Sequence, residues 1–386
     1  MDKKPEKLVP EVRFKGFTDD WEQRKLSSIA HQTFGGGTPS KSNKQFWNGD
    51  FPWIQSSDLA EDTIRGVHPN KFITQNALLI SAAKKIPKNS IAIVSRVGVG
   101  KVALIPFNYS TSQDFLSLSG LKINSQFATY SIHKIMKKTA SQLQGTSIKG
   151  ITKKDILNKT IIFPISEKEQ VHISSLLKYV DYIISLQQRK LNQLKRLKTA
   201  MLQQLFTDKN SKQPNLRFKN FRGDWEQRKL KSVVSVNSGK DYKSLEKGNI
   251  PVYGTGGYIA SVSKFLSSQD AIGLGRKGTI NKPYILKAPF WTVDTLFYLT
   301  LKPENILTFI YSLIQKINWL QYDESTGLPS LSKKNIENVL VSLTKLDEQQ
   351  KIGKVIVKLD KFITLQQSKI DQLTILKKYL LQKLFI

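Results

Sequence analysis

One phrase is written twice in this chain. Residues Arg13–Leu26 read RFKGFTDDWEQRKL, and Arg217–Leu230 read RFKNFRGDWEQRKL. Three apolar anchors, Phe14, Phe17 and Trp21, recur as Phe218, Phe221 and Trp225 in an otherwise polar segment. The phrase shows no apolar period long enough to predict a helix or strand of its own. Internal repetition settles the architecture before any other signal does.

A second repeat is helical. Residues 167–206 (EKEQVHISSLLKYVDYIISLQQRKLNQLKRLKTAMLQQLF) match residues 346–385 (LDEQQKIGKVIVKLDKFITLQQSKIDQLTILKKYLLQKLF). Glu169 and Glu348, Asp181 and Asp360, and the closing Leu205-Phe206 and Leu384-Phe385 all stand at one constant offset. Neither stretch contains Pro, and apolar residues recur at spacings of three and four. One seam runs Ile173, Leu177, Val180, Ile184, Gln187, Leu191, Leu194, Lys198, Met201, Leu205. The other runs Ile352, Ile356, Leu359, Ile363, Gln366, Ile370, Leu373, Lys377, Leu380, Leu384. Both read as coiled-coil seams, broken at matching places by Gln and then Lys. A helix of this length spans roughly 60 Å. An antiparallel pair sets Gln187 against Gln366, so these two polar residues would fix its register. A parallel pair would also match them but would put both bodies at one end. Each helix could instead pack on its own domain or on another chain.

Between phrase and helix, each half predicts short strands, then one helix. In the first half the strands are FPWIQSSDL, SIAIVSR, KVALIPF and DFLSLSGL, and the helix is FATYSIHKIMKKTASQL. In the second half IPVYGTGGYIA, AIGLGRKGTI, KPYILKAPFWTV and TLFYLTL are strand-like, and ENILTFIYSLIQKINW is helical. The predicted fold is therefore α+β: two α/β bodies separated by two long helices that form an antiparallel coiled coil, with a pseudo-twofold internal repeat. The boundaries read 1–166, 167–208, 209–344 and 345–386.

Net charge is +30, from 60 Lys and Arg against 30 Asp and Glu. Residues 1–166 hold 24 basic and 12 acidic residues, and residues 209–344 hold 20 and 10. Two basic bodies point to two contacts with one nucleic acid. A membrane surface fits less well, since no basic amphipathic anchor with exposed aromatics stands out. No apolar run is long enough for a membrane span, and MDKKPEKLVPE lacks the apolar core of a secretory signal. There is no Cys, which removes disulfides and thiol chemistry and is compatible with the cytoplasm.

Catalytic motifs fail one by one. Gly273–Gly278 (GLGRKG) matches a dinucleotide fingerprint in letters, but strand-like sequence with Pro283 follows where a helix is needed. VGVGKVA lacks the first Gly and the hydroxyl of a P-loop. NKPY at Asn281 lies outside any methyltransferase setting, and the four His have neither metal spacing nor a triad. What remains is binding chemistry in turn-rich segments. The candidates in the first body are Ser56, Ser57 with Asp58, Lys84, Lys85, Arg96, Lys101, Thr146, Lys149, Lys153 and Lys154. In the second they are Gly256, Gly257, Tyr258, Arg276, Lys277, Lys282, Ser325, Thr326, Lys333 and Lys334. Glycines beside cations suit close approach of backbone to phosphate, and Arg is the usual bidentate reader of guanine. No metal site is predicted. A DNA-modifying or cleaving enzyme with an unrecognised site stays open as an alternative, as does a non-specific architectural or RNA-binding protein.

The twice-written phrase, the interiors SAAKKIPKNSIAIVSRVGVGKVALI and YGTGGYIA…IGLGRKGTINKPY…PFWTVDTLFYL, and the EKEQ and DEQQ helix starts together resemble the specificity subunit of type I restriction–modification enzymes. The likeness extends over essentially the whole chain. It implies two target-recognition domains, each reading one half of a bipartite double-stranded DNA target. It implies that the helix pair fixes the gap between the half-sites. It also implies two modification (methyltransferase) subunits and ATP-dependent restriction subunits as partners. S-adenosylmethionine, ATP and magnesium would reside on those partners, with no cofactor bound and no catalysis performed by this chain. The phrase itself reads as a mount, with Glu22, Gln23, Arg24 and Lys25, and their counterparts 226–229, facing a helix or a partner.

Overall fold

A computed structural model describes residues 8–143, 150–208 and 211–386. The chain divides into two units, Met1–Leu186 with Ile370–Ile386, and Gln187–Lys369. Each long helix gives one part to each unit.

In unit 1 the elements are β1 (Glu22–Lys25), β2 (Ala30–Gly35), β3 (Phe51–Ile54), β4 (Lys71–Ile73), α1 (Gln75–Ile80), β5 (Ser90–Val94), β6 (Val102–Ile105), β7 (Ser110–Thr111), β8 (Phe115–Leu121), α2 (Ser125–Leu143), α3 (Lys153–Asn158) and β9 (Thr160–Phe163), and the helix α4 (Glu167–Gln204) follows. Strands β2-β8-β5-β6 form one antiparallel sheet, and β4-β3-β7 a smaller one in which β3 runs parallel to β7. The SIAIV of β5 is buried at every position, as a central strand rich in β-branched residues should be. Helix α2 covers the first sheet through Phe127, Ile132 and Met136.

Unit 2 follows the same plan with β10 (Glu226–Lys229), β11 (Val234–Ser238), β12 (Lys247–Gly254), β13 (Gly257–Val262), β14 (Ala271–Gly275), β15 (Tyr284–Leu286), β16 (Trp291–Thr292), β17 (Leu296–Leu301), α5 (Leu307–Lys316), α6 (Lys333–Asn338), β18 (Leu340–Leu343) and α7 (Leu346–Lys383). The sheet orders β11-β17-β14-β15 and β13-β12-β16 correspond strand for strand to those of unit 1. Among the described residues of unit 2 no helix stands between β13 and β14, where unit 1 has α1 between β4 and β5, and the β12–β13 hairpin that matches β3–β4 is longer.

The repeated phrase corrects one expectation. Its polar half is a strand in both copies: Glu22–Lys25 pairs antiparallel with Thr160–Phe163, and Glu226–Lys229 with Leu340–Leu343. The residues are therefore held by a strand next to the helix start rather than laid against a helix face. The strand has no apolar period because its partner supplies the buried side chains, Ile161 and Phe163 or Val341 and Leu343. Trp21 and Trp225 anchor the adjacent ends in the cores.

The phrase also grips the start of each long helix. Arg13 donates through Nε and Nη2 to the two carboxylate oxygens of Glu169 at 2.7 and 2.8 Å. Arg217 does the same to Glu348, at 2.8 Å in both bonds. Next to each Glu, a Gln bridges backbone groups. Gln170 accepts from Asn124 N and donates to Pro164 O, and Gln349 accepts from Ile306 N and donates to Thr344 O. These four bonds are why EQ recurs at the start of both helices. The far ends dock as well. Phe385 stacks on Phe127 beside Trp21, and Phe206 stacks on Phe309 beside Trp225.

The long helices pair antiparallel. In unit 1 the start of α4 (Ile173, Leu177) shares a core with the residues that follow α7 (Leu384, Phe385); in unit 2 the residues that follow α4 (Leu205, Phe206) do so with the start of α7 (Ile352, Ile356). Gln366 Nε2 donates to Gln187 Oε1 at 2.6 Å. The two seam lysines are neutralised by the two Asp that recur in both helices: Lys377 meets Asp181 at 2.6 Å, and Lys198 meets Asp360. Every predicted seam position is buried or half-buried. Gly353 is required on α7, since a Cβ there would lie 2.7 Å from Phe309 N at the start of α5.

Two predictions follow from this packing. Glu348 is buried and bound twice by one guanidinium, so Arg217→Ala leaves an uncompensated buried carboxylate. Urea unfolding of the full chain should show a loss of about 3 kcal/mol, whereas a loss under about 0.5 kcal/mol would mark an ordinary surface pair. The second concerns His133, buried in unit 1 with an unpartnered Nδ1. Burial, then Lys377 and Lys137, push its pKa down to about 4, with Asp62 opposing. A depressed folded pKa favours the neutral ring, so its contribution is complete above the unfolded value of 6.5 and is lost as pH falls toward about 4. The thermal midpoint should fall between pH 7 and pH 5, and His133→Gln should flatten that dependence.

Candidate nucleic-acid interface

In unit 1 a run of three glycines at the end of β2 gathers the candidate segments. A Cβ at Gly35 would lie 2.1 Å from Lys153 Nζ, one at Gly36 1.8 Å from Ser112 O, and one at Gly37 1.8 Å from Ala82 O. At Gly36 and Gly37 a Cβ would strike backbone, so only glycine lets the end of β7 and the loop carrying Lys84 and Lys85 meet there, while the flexible end of Lys153 from the α3 entry lies over Gly35. The β5–β6 turn joins through the same α3 entry, since Ile151 N donates to Ser95 O at 2.8 Å. Lys101 Nζ donates to Ser56 O at 3.1 Å, which ties that turn to the loop after β3. Ser56, Ser57, Arg96, Lys101 and Lys153 thus belong to one connected set of loops, with Lys154 exposed beside it. Asp58 is structural: its carboxylate accepts from Gln55 N and Asn70 Nδ2. Thr146 and Lys149 lie outside the described residues.

Unit 2 gathers its candidates in the same places. Arg276 follows β14 as Ser95 follows β5: Arg276 N donates to Thr295 O where Ser95 N donates to Asp114 O. Its carbonyl accepts from Leu331 N at 2.9 Å, as Ser95 O accepts from Ile151 N. The Arg276 guanidinium lies 5.6 Å from the Phe297 ring centre. Lys277 bridges to Ser330, and Gly278 N donates to Pro329 O at 2.8 Å. The β14–β15 turn and the 323–331 loop are therefore fastened together, bringing Arg276, Lys277, Ser325 and Thr326 onto adjoining loops. Lys333 and Lys334 open α6 behind them, and Lys333 pairs with Glu337 at 3.7 Å. Gly256 lies in the β12–β13 turn, and Gly257, with φ 110°, and the exposed Tyr258 open β13. That turn connects back through Tyr284, two residues after the exposed Lys282, whose hydroxyl donates to Gly254 O at 2.6 Å. The GLGRKG letters lie in β14 and its turn, and β15 follows them.

Two cations escaped the sequence reading. Gly37 N donates to Thr111 O at the end of β7, and Lys240 N donates to Thr292 O at the end of β16, so Lys240 stands where Gly37 stands in unit 1. Lys240 and Lys243 are exposed. The signal was present as a matched strand end, FGGGTPSK against NSGKDYKS, in which only Gly36 is kept, as Gly239.

Among the described residues, Lys84, Lys85, Arg96, Lys154, Lys277 and Lys282 have no carboxylate partner. Such cations are available to phosphates, and neutralising them would release counterions from a duplex. The same residues include no group of three or more His, Asp or Glu able to hold a metal ion. No helix among them is long and apolar enough to cross a membrane.

The profile of the type I restriction modification DNA specificity domain matches residues 18–196 and 222–374. The chain belongs to that family. It is 28% identical over 240 residues to the type I restriction enzyme MjaIX specificity subunit of Methanocaldococcus jannaschii, covering 59% of this chain and 54% of that protein. It is 33% identical over 149 residues to the EcoR124I/EcoR124II specificity subunit of Escherichia coli, covering 36% of each. The match therefore spans about half or less of those two relatives. A putative type I specificity subunit of Mycoplasma genitalium is 23% identical over 315 residues, 77% of this chain and 81% of that protein. In fold, the chain is similar to the crystal structure of a type I restriction-modification S subunit from M. genitalium, with TM-score 0.68, 20% identity and 98% and 99% of the two chains covered.

Proposed function

We propose that this chain is the DNA-reading subunit of a type I restriction–modification complex, and that each unit reads one half of a bipartite target. The observation that carries this reading is the pairing of one shared frame with two different sets of loops. Strand order, helix clamps and docking Phe are the same in both units, while the loops that gather unpaired cations differ in length and sequence. A frame written twice with different tips suits two different half-sites on one duplex.

The helices supply the spacing. Each has 38 residues, or about 57 Å of helix, enough to span half-sites about 34–36 Å apart, one DNA turn. In this reading the helices also hold two methyltransferase subunits, which bring S-adenosylmethionine. ATP-dependent restriction subunits complete the assembly and use magnesium. A related solved structure, TM-score 0.55 at 16% identity, is described as showing complex assembly of a type I R-M system. The chain itself orients DNA and performs no bond chemistry, and the assembly works on cellular DNA in the cytoplasm.

Inserting four residues after Gln188 should lengthen the unspecific gap and leave both half-sites unchanged, as read by mapping methylated bases. Altered half-sites with an unchanged gap would contradict the ruler. Arg276→Ala should relax one position of one half-site by about 1–3 kcal/mol of discrimination. Equal weakening on every sequence would make Arg276 a phosphate contact instead.

A further inference from the structure

The loop 323–331 of unit 2 is fastened far more firmly than a connector needs. Asp323 Oδ1 accepts from Ser325 N, Ser325 Oγ and Ser330 N, closing the loop across its base. Those backbone bonds hold the Asp323 carboxyl below the usual carboxylate range. Glu324 N donates to Ser330 O, and Glu324 Oε1 accepts from Ser332 Oγ and Asn335 Nδ2. Pro329 O, Ser330 and Leu331 N then bind the neighbouring turn at Arg276–Gly278.

All this rigidity presents a tip of Thr326, Gly327 and Leu328. A Cβ on Gly327 would meet nothing within 4 Å, so the tip projects into open space. Leu328 is 67% exposed, while Leu331, three residues on, is buried at 3%. A lone leucine among Lys277, Ser325 and Thr326 makes no apolar patch of the size that a protein partner uses. Held on a stiff loop beside cations, it suits a small apolar target on an anionic surface. The major groove offers one such target, the 5-methyl group of thymine.

We infer that Leu328 is a specificity-determining residue, which sets its side chain against the methyl group of one thymine in the half-site that unit 2 reads. The inference rests on the proposed DNA-recognition function and names one contact within it. Because the loop is already ordered, the contact forms without a further entropic cost of closing the loop.

The test uses the full chain. Duplexes selected from a random library define the recognised sequence, and each thymine in turn is replaced by deoxyuridine, which removes only the methyl group. The wild-type chain should lose affinity about fourfold at one thymine of one half-site, the factor expected from one apolar carbon withdrawn from contact. Leu328→Ala should show no difference between thymine and uracil at that position and an unaltered response at every other thymine. Its thermal midpoint should match wild type, since the side chain is exposed. Unchanged discrimination at every thymine in Leu328→Ala would overturn the inference while leaving sequence recognition intact, as would uniform weakening on all duplexes. Selection that yields no preferred sequence would overturn the recognition reading and this contact with it.

Discussion

The buried fork between arginine and glutamate at the start of each long helix is the interaction on which the rest depends. Glu169 and Glu348 are almost fully enclosed, and an isolated carboxylate there would be costly. Two parallel N–H bonds from one guanidinium, together with a position in the first turn of a helix, offset that cost. The fork fixes the direction in which each helix leaves its unit. It also fixes the strand that follows the arginine, because β1 and β10 pair with the strand leading into that helix. The glutamines beside each glutamate extend the same anchor to the sheet-covering helix of each unit through Asn124 N and Ile306 N.

Charge inside the helix pair follows a related logic. Lys198 and Lys377 occupy seam positions where leucine would pack, and Lys377 is 6% exposed. Each meets an aspartate of the other helix, so neither cation is left alone in a dry seam. Gln187 and Gln366 satisfy each other near the middle. Polar seam residues of this kind lower stability relative to an all-apolar seam but favour one register over its neighbours.

Much of this frame was legible in the sequence because it is written in periodic or repeated letters. The two seams stood out through spacings of three and four over ten positions each. β5, β6 and β17 stood out as runs rich in β-branched or aromatic residues, and β8 as leucines alternating with serine. The polar strand Glu22–Lys25 was not legible, since its buried face belongs to the partner strand and its own side chains carry no alternation. The partners of Lys198 and Lys377 were likewise hidden: both Asp residues were visible as matched letters, but only the antiparallel geometry brings each across to the other helix. On the interface, residue type marked the cations, whereas their convergence depends on backbone contacts, such as those of Gly36 and Gly37 with Ser112 and Ala82. Asp58 was misjudged because capping and DNA contact call for the same polar letters. Lys240 was missed because its counterpart in unit 1 is a glycine.

The central claim is that two different readers are mounted on one repeated frame. Mapping methylated bases genome-wide in cells that carry this chain, and in the same cells without it, tests that claim most directly. The account predicts a two-part motif, with unlike halves and a gap of constant length, that disappears when the chain is removed. A single contiguous motif, or a methylation pattern unchanged by removing the chain, would contradict it.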